Sequence, residues 1–523
     1  MNHSKKEIAP AFSIAATLLA CLGALPIATQ TTYAQSAPAP QHTQATLLPL
    51  SGRSGNSGSV TAIEAPIAGT TNSVTTINPS VQVQGPYVGS SSSTAKSPFA
   101  GKLSLRDAIQ RGLNYNLGSA NLNRAVSQAQ GQSEIARSAL LPNVSGYLAE
   151  NLAQTNLAAQ GLRIHIPIPG FNFPTIVGPY NNIDLRGNVT QSVLDLTAWN
   201  NFRASSEQVR AAQLTARDAR DAVVLAVCGE YLQIIATKER VASAHAQLDT
   251  ATALFKQTQQ KRQVGLSPQI DVDRSEVEEL TQQQRVISLE TELAKQKIAL
   301  ARITGLPPND AYELTDEVPF AAAPTLTLDD AIHQALDRRS DIKAAEAQVR
   351  AAQRALAAAH DERLPSLSIN GNYGAIGTNP AQVSATFAAA ATLSIPIWQG
   401  GRTEGDIKAA QAALVQRQTE LDDLKGQVES DVRNAFLDLQ AATSQVKLAQ
   451  RNIQVNLETL DLTRQRFDAG VTDNVEVVQA QESLTSAELD TINSVFAHNL
   501  AKLSLARAIA SAADNLQQFL NLQ

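Results

Sequence analysis

The sequence predicts a mainly helical chain carrying two pairs of strands, written as two copies of a helix–strand–strand–long helix–helix unit. Motifs that return in the same order predict the duplication. Leu105-Arg106-Asp107-Ala108-Ile109 comes back as Leu328-Asp329-Asp330-Ala331-Ile332, and Leu141-Pro142-Asn143-Val144-Ser145 as Leu364-Pro365-Ser366-Leu367-Ser368. Val264-Gly265-Leu266 matches Ala469-Gly470-Val471, and Leu300-Ala301-Arg302 matches Leu505-Ala506-Arg507. The period far exceeds the roughly 20–50 residues of solenoid repeats, so a doubled domain is the better reading. Long proline-free stretches predict the helices, and alternating segments predict the strands.

The copies span 102–310 and 325–511, followed by a tail at 512–523. Ahead of them, residues 1–34 read as an export signal. Lys5 and Lys6 precede an apolar stretch from Ala11 to Leu25, then Pro26 and the small-residue site Thr32-Tyr33-Ala34. A second cleavage is open, before Cys21, because Leu18-Leu19-Ala20-Cys21 resembles a bacterial lipobox; it would make Cys21 a lipidation site. Residues 35–101 are rich in Ser, Pro and Gly, too sparse in apolar side chains for a core, and are expected to be a flexible linker.

From Ala198 to Val264 and from Arg402 to Ala469 no proline interrupts the chain. Either run would make a helix of roughly 100 Å at the rise of an α-helix. Ile407, Leu414, Leu421 and Val428 recur every seventh residue. So do Val432, Leu439, Val446, Ile453, Leu460 and Phe467, a ladder echoed in the first copy by Val227, Ile234, Val241, Leu248 and Phe255. A sustained heptad means coiled-coil packing. Ala435, Ala442 and Ala449 fill a companion seam that lets helices approach closely, as in a walled helical barrel; periodicity alone leaves a solid antiparallel coiled coil equally open.

Each long helix is expected to end at a glycine tip and return. The tips are Gly265-Leu266-Ser267-Pro268-Gln269-Ile270-Asp271 and Gly470-Val471-Thr472-Asp473-Asn474-Val475-Glu476. Glycine supplies the left-handed residue at a helix C-terminus, and an acid in the next first turn complements that helix's dipole. Considered locally, Asp271 and Glu476 fit a plain capped hairpin.

Val144–Leu152, Ile183–Leu194, Leu367–Ala375 and Thr386–Ile397 alternate loosely between apolar and polar residues, at the length of a tilted outer-membrane strand. Four strands cannot close a barrel with a lumen; three chains would supply twelve. The first strand pair is joined by a long loop, Gln154–Asn182, containing Ile164 to Phe171, and the second by a short one, Gly377–Ser384. Trp199 and Trp398 follow the second strand of each copy, where an aromatic girdle or ordinary junction packing both fit.

Composition excludes several classes. Net charge is −6 with both signs interspersed and no basic stripe, so no nucleic-acid partner is expected. His3, His42, His165, His245, His333, His360 and His498 are scattered without metal-ligand spacing, and neither a phosphate loop nor a nucleophile elbow occurs. An enzyme is not expected, nor a cofactor. Cys228 reads as a packed thiol.

The order and double occurrence of these marks resemble the outer-membrane efflux protein (TolC-like) family over about residues 102–511. The Leu-Pro-x-x-Ser motifs, Ser394-Ile395-Pro396-Ile397-Trp398-Gln399-Gly400-Gly401-Arg402 and Arg466-Phe467-Asp468-Ala469-Gly470 carry the resemblance. It implies a homotrimer in the bacterial outer membrane, with a twelve-stranded barrel on a twelve-helix periplasmic coiled-coil tunnel. Such a protein is a passive exit duct of a tripartite efflux or type I secretion system. Its implied partners are membrane lipid, a periplasmic adaptor (membrane fusion) protein docking at the tips marked by Gly265 and Gly470, and an inner-membrane pump. Asp271 and Glu476 then fall at the tunnel entrance as gate and selectivity acids. A further acidic position of the family is Gln479 here, and Leu194-Asp195-Leu196 lacks the Pro-and-Gly turn, so a differently built start to that helix is expected. A coiled-coil adaptor or bridging protein is the alternative, disfavoured because strand pairs recur in both copies; a general porin would be mostly strand. The exported substrate is not legible.

Overall fold

The computed structural model describes residues 44–46, 59–66, 77–91, 101–161, 174–265, 267–308, 312–317, 319–321, 326–472 and 474–512. The leader with Cys21, the loop centre carrying His165, and nearly all of the tail lie outside them. The chain divides into a sheet unit, drawn from 141–194 and 366–394, and a helical unit made of the remaining described residues.

The sheet unit holds four antiparallel strands in the order β4–β5–β7–β8, with β4 Asn143–Asn156, β5 Ile176–Leu194, β7 Ser366–Gly377 and β8 Val383–Ser394. Successive side chains alternate across it. Val144, Leu148, Leu185, Val189, Ile369, Tyr373, Phe387 and Leu393 share one face and are all exposed. Ser145, Asn188, Thr190, Asn370, Asn372, Thr386 and Thr392 share the other. An exposed apolar face backed by a polar one is the pattern of a barrel strand between lipid and lumen. The first strand pair is longer than the alternation predicted. Pairing continues through Thr155–Val177 and Asn156–Ile176, across an irregularity after Ala153, so the loop shrinks to 157–175. In the second copy β8 stops at Ser394 instead of Ile397, since Pro396 has no N–H to give a ladder.

In the helical unit, the expected first helix of each copy is two. α1 (Leu105–Tyr115) and α2 (Leu117–Ser138) break at Asn116; α5 (Leu328–Arg338) and α6 (Ser340–Asp361) break at Arg339. Asn116 leaves helical backbone geometry, caps α2 by accepting from the Gly118 N–H at 2.9 Å, and donates to the Tyr87 carbonyl at 2.7 Å. The long helices are α3 (Leu196–Gln263, 68 residues) and α7 (Arg402–Asp468, 67 residues). α3 begins directly on Asp195, whose Oδ1 accepts from the Ala198 N–H at 2.8 Å, whereas α7 follows Gly400 and Gly401, both at positive φ. They return as α4 (Gln269–Thr304) and α8 (Asn474–Ala508). Ile407, Val428, Val432, Leu439, Val446 and Leu460 of the heptad ladders are buried, as are Ala435, Ala442 and Ala449.

Helix neighbours form two series, α2–α3–α6–α7 and α4–α3–α8–α7. α3 therefore sits inside both, while α2, α4 and α7 are ends. The short strands β3 (Lys102–Leu103) and β6 (Glu313–Leu314) pair in parallel beside α1, and Tyr231 of α3 donates towards Leu103 O at 3.0 Å and Asp316 Oδ2 at 2.9 Å there.

The flexible-linker expectation for 35–101 is corrected over part of its length. β1 (Val60–Pro66) and β2 (Ile77–Val83) form an antiparallel hairpin that touches α3 and α8. Val60, Ala62, Val81 and Val83 pack on the main core, and Tyr87 just beyond is buried. The alternating Val81-Gln82-Val83 was too short a signal against the surrounding Ser and Gly; Gly229 of α3 is its counterpart. A Cβ there would stand 2.2 Å from Val81 Cγ2. Gly229→Ala is expected to destabilise the unit by about 1–3 kcal/mol through overpacking and to open 59–91 to protease. Unchanged melting and digestion would mean that the hairpin is not seated on α3.

Candidate functional site at the helical hairpin tips

Both long helices end alike. Gly265 takes φ +77° and Gly470 φ +73°, the left-handed geometry that stops a helix without a Cβ clash. The Gly265 N–H donates to the Arg262 carbonyl at 2.9 Å; at the second tip Val471 N–H donates to the Arg466 carbonyl at 2.9 Å. Lys261, Arg262 and Arg466 occupy the last turns, where cations meet the negative ends of the helix dipoles.

Asp271 and Glu476 lie in the first turns of α4 and α8. Asp271 Oδ2 accepts from Ser267 Oγ at 3.1 Å, and Arg274 Nη1 stands 4.0 Å from Oδ1. Glu476 Oε2 is 3.3 Å from Arg466 Nη1, which ties α8 to the end of α7. Lys261 Nζ stands 4.0 Å from the centre of the Phe467 ring, joining the end of α3 to the end of α7. The two hairpins thus meet, yet no ion pair among the described residues links Asp271 to Glu476. Each acid has its own arginine. Below the first tip, Thr258 and Ser275 share a buried hydroxyl contact of 2.6 Å; below the second, Leu460, Val477 and Ala480 form a small apolar cluster.

Sequence reasoning placed the glycines and the acids, and set Phe467 at the end of a heptad ladder, but assigned no role at the tips to Arg466 or Lys261. Basic residues one turn before a tip glycine were the available signal, because they face the acid of the returning helix as well as their own dipole. Gln479 occupies the second turn of α8, so the acid set at this tip is confined to the first turn.

A duplicated chain of helical hairpins, with a four-stranded sheet carrying an exposed apolar face, is the architecture of an outer-membrane duct. Residues 111–306 and 331–511 match the family described as outer membrane efflux protein, more than two thirds of the sequence, and the chain belongs to that family. It is 24% identical over 335 residues to the outer membrane protein TolC of Vibrio cholerae, covering 62% of this chain and 76% of that one. It is 26% identical over 353 residues to the outer membrane protein OprJ of Pseudomonas aeruginosa, covering 64% and 69%. Among solved structures, the CmeC outer membrane channel of Campylobacter jejuni superposes with a TM-score of 0.69 at 17% identity, over 80% of this chain and 90% of that one. The protein is an outer-membrane efflux duct.

Proposed function

We propose that the chain works as a homotrimer, the exit duct of a tripartite efflux or type I secretion system, passive in itself and opened at its tips by a periplasmic adaptor and an inner-membrane pump. The observation that carries the trimer is the pair of unpartnered ends. Ile270, Val277, Leu280 and Ile287 are exposed on α4, and Leu448, Val455 and Leu462 are exposed on α7 at a heptad spacing. A heptad ladder in water calls for a facing helix. In the sheet, β4 and β8 are likewise open edges, which lipid does not tolerate. One end of each series differs from the other, so contact between copies is head-to-tail and closes as a ring. Three copies then give twelve strands, enough for a lumen.

Under this reading the tips receive the adaptor around Gly265 and Gly470, Asp271 and Glu476 ring the entrance, and choice of cargo falls to the pump. Cysteines introduced on α4 (Val277→Cys, Leu280→Cys or Ile287→Cys) and on α7 (Leu448→Cys, Val455→Cys or Leu462→Cys) test the ring, with Cys228 buried and out of reach. Doubly substituted membranes treated with oxidant should yield covalent dimers and trimers and nothing larger. Monomer throughout the panel, or a ladder continuing past three, overturns the trimer.

A further inference from the structure

The four strands contain three charged side chains, Glu150, Asp184 and Arg186. Glu150 falls on the apolar face, level with Ile183, and accepts from Asn181 Nδ2 at 2.7 Å. Asp184 and Arg186 fall two residues apart on the polar face and are the only charged residues there among the described strand positions.

The two hold each other. Arg186 Nε donates to Asp184 Oδ1 at 2.5 Å and Nη2 to Oδ2 at 2.6 Å, a bidentate fork. The cross-strand neighbours of Arg186 are Tyr147 on β4 and Gly374 on β7, where the strands approach so closely that a Cβ on Gly374 would stand 2.0 Å from the Leu185 carbonyl oxygen and 2.6 Å from Arg186 Cα. Height along the strands is also fixed. Asp184 pairs with Ile376, one residue from the end of β7 at Gly377, so the fork lies level with the turn of the second hairpin, while β5 continues eight residues beyond it to Ile176 in its pairing with β4.

We propose that three copies of this fork form a charge-balanced ring at the outer mouth of the barrel, and that this balance keeps the mouth open to departing ions and charged solutes of either sign. The inference rests on the trimer proposed above. Apart from Tyr147, Tyr180 and Ile376, the described polar face elsewhere is almost wholly Ser, Thr, Asn, Ala and Gly, and no other residue on it is charged. With carboxylate and guanidinium locked together, the mouth admits both signs of solute. Unlocking either partner leaves three like charges in a narrow ring, where a field of that sign selects against its own kind.

The test is the reversal potential of the full-length protein in planar bilayers under a potassium chloride gradient, in a D271A/E476A background so that the tips do not set selectivity. Arg186→Gln should raise the cation-to-anion permeability ratio by roughly threefold or more, and Asp184→Asn should lower it by a similar factor. The double variant D184N/R186Q should return to the parent value, and Arg186→Lys should stay near it. Unshifted potentials in both single variants, or shifts in the same direction, overturn the ring. Native mass of each protein separates the two readings: a parent that is not trimeric overturns the trimer and the ring together, whereas trimers with unshifted potentials overturn the ring alone. Should a single variant fail to assemble, Thr386→Cys provides the same readout on folded protein. Thr386 pairs with Gly374 on the polar face, so cationic and anionic thiol reagents should move the potential in opposite directions. A reagent effect independent of charge sign counts against the ring.

Discussion

Replacing Arg507 by leucine is expected to cost the folded chain about 3 kcal/mol, the scale for breaking a largely buried ion pair from one side. Arg507, near the end of α8, donates two parallel bonds to Asp218 of α3, Nη1 to Oδ1 at 2.8 Å and Nη2 to Oδ2 at 2.9 Å. Burial pulls its pKa down, but Asp218, Asp221 and Asp341 outweigh burial and hold it above the ordinary arginine value. Asp341 of α6 is bound in turn by Arg339 at 2.6 Å, and Arg339 reaches Asp431 of α7 at 3.3 Å. One guanidinium therefore closes a network over four helices from both copies. Without it, Asp218, Asp221 and Asp341 lose the cation they share.

The pH dependence has a defined sign. Burial raises the Asp341 pKa, but the hydrogen bond and charge of Arg339, with Arg507, more than offset burial and leave it below the usual carboxylate range. Its contribution is therefore complete above the unfolded-state value of roughly 4 and is lost as pH falls through the lower folded-state value. In Arg507→Leu the acids repel instead, and their protonation relieves the strain. The gap in melting temperature between parent and variant should be largest near neutral pH and narrow towards roughly pH 4. Equal melting at neutral pH would remove the network from the account of stability. Arg507→Lys, which keeps charge but loses the fork, should fall between the two.

At the tips, replacing Asp271 and Glu476 together by alanine is expected to alter single-channel conductance and weaken block by a trivalent cation roughly tenfold, as expected when a ring of fixed charge is removed from a narrow mouth. The pairing seen here adds a counter-test. Glu476 is about half exposed and 3.3 Å from Arg466, so Arg466→Ala should strengthen cation block where Glu476→Ala weakens it. An exposed pair of this kind adds little stability, so neither change should alter the yield of folded protein. Unchanged conductance with unchanged block in the double variant would sink the assignment of these acids to the entrance.

Much of the fold was legible because it is periodic. The heptads that place Val432, Leu439 and Val446 in a seam are local arithmetic, and so are the glycines that end α3 and α7. Strand positions could be read from alternation, but not where strands stop: Thr155 to Val177 pair beyond the apolar run, and Pro396 ends β8 early. The helix breaks at Asn116 and Arg339 escaped because neither residue is a breaker; the first is drawn out of the helix by Tyr87, 29 residues away in sequence. At the tips the acids showed themselves by position, while Lys261 meeting Phe467 depends on two turns 206 residues apart being neighbours. Asp184 and Arg186 passed unnoticed since an acid and a base two apart are unremarkable until a strand places them on one face.

The β1–β2 hairpin bears on the order of events during biogenesis. Its residues are made and exported early, yet the surface it covers is shared by α3 and α8, and α8 ends at Ala508. A two-stranded hairpin alone is marginal in water. Val60, Ala62, Val81 and Val83 must therefore wait, exposed to chaperones and proteases, until nearly the whole polypeptide has crossed the inner membrane. Chains truncated before α8 would keep that early segment unburied, so the hairpin marks whether translation and export have run to completion.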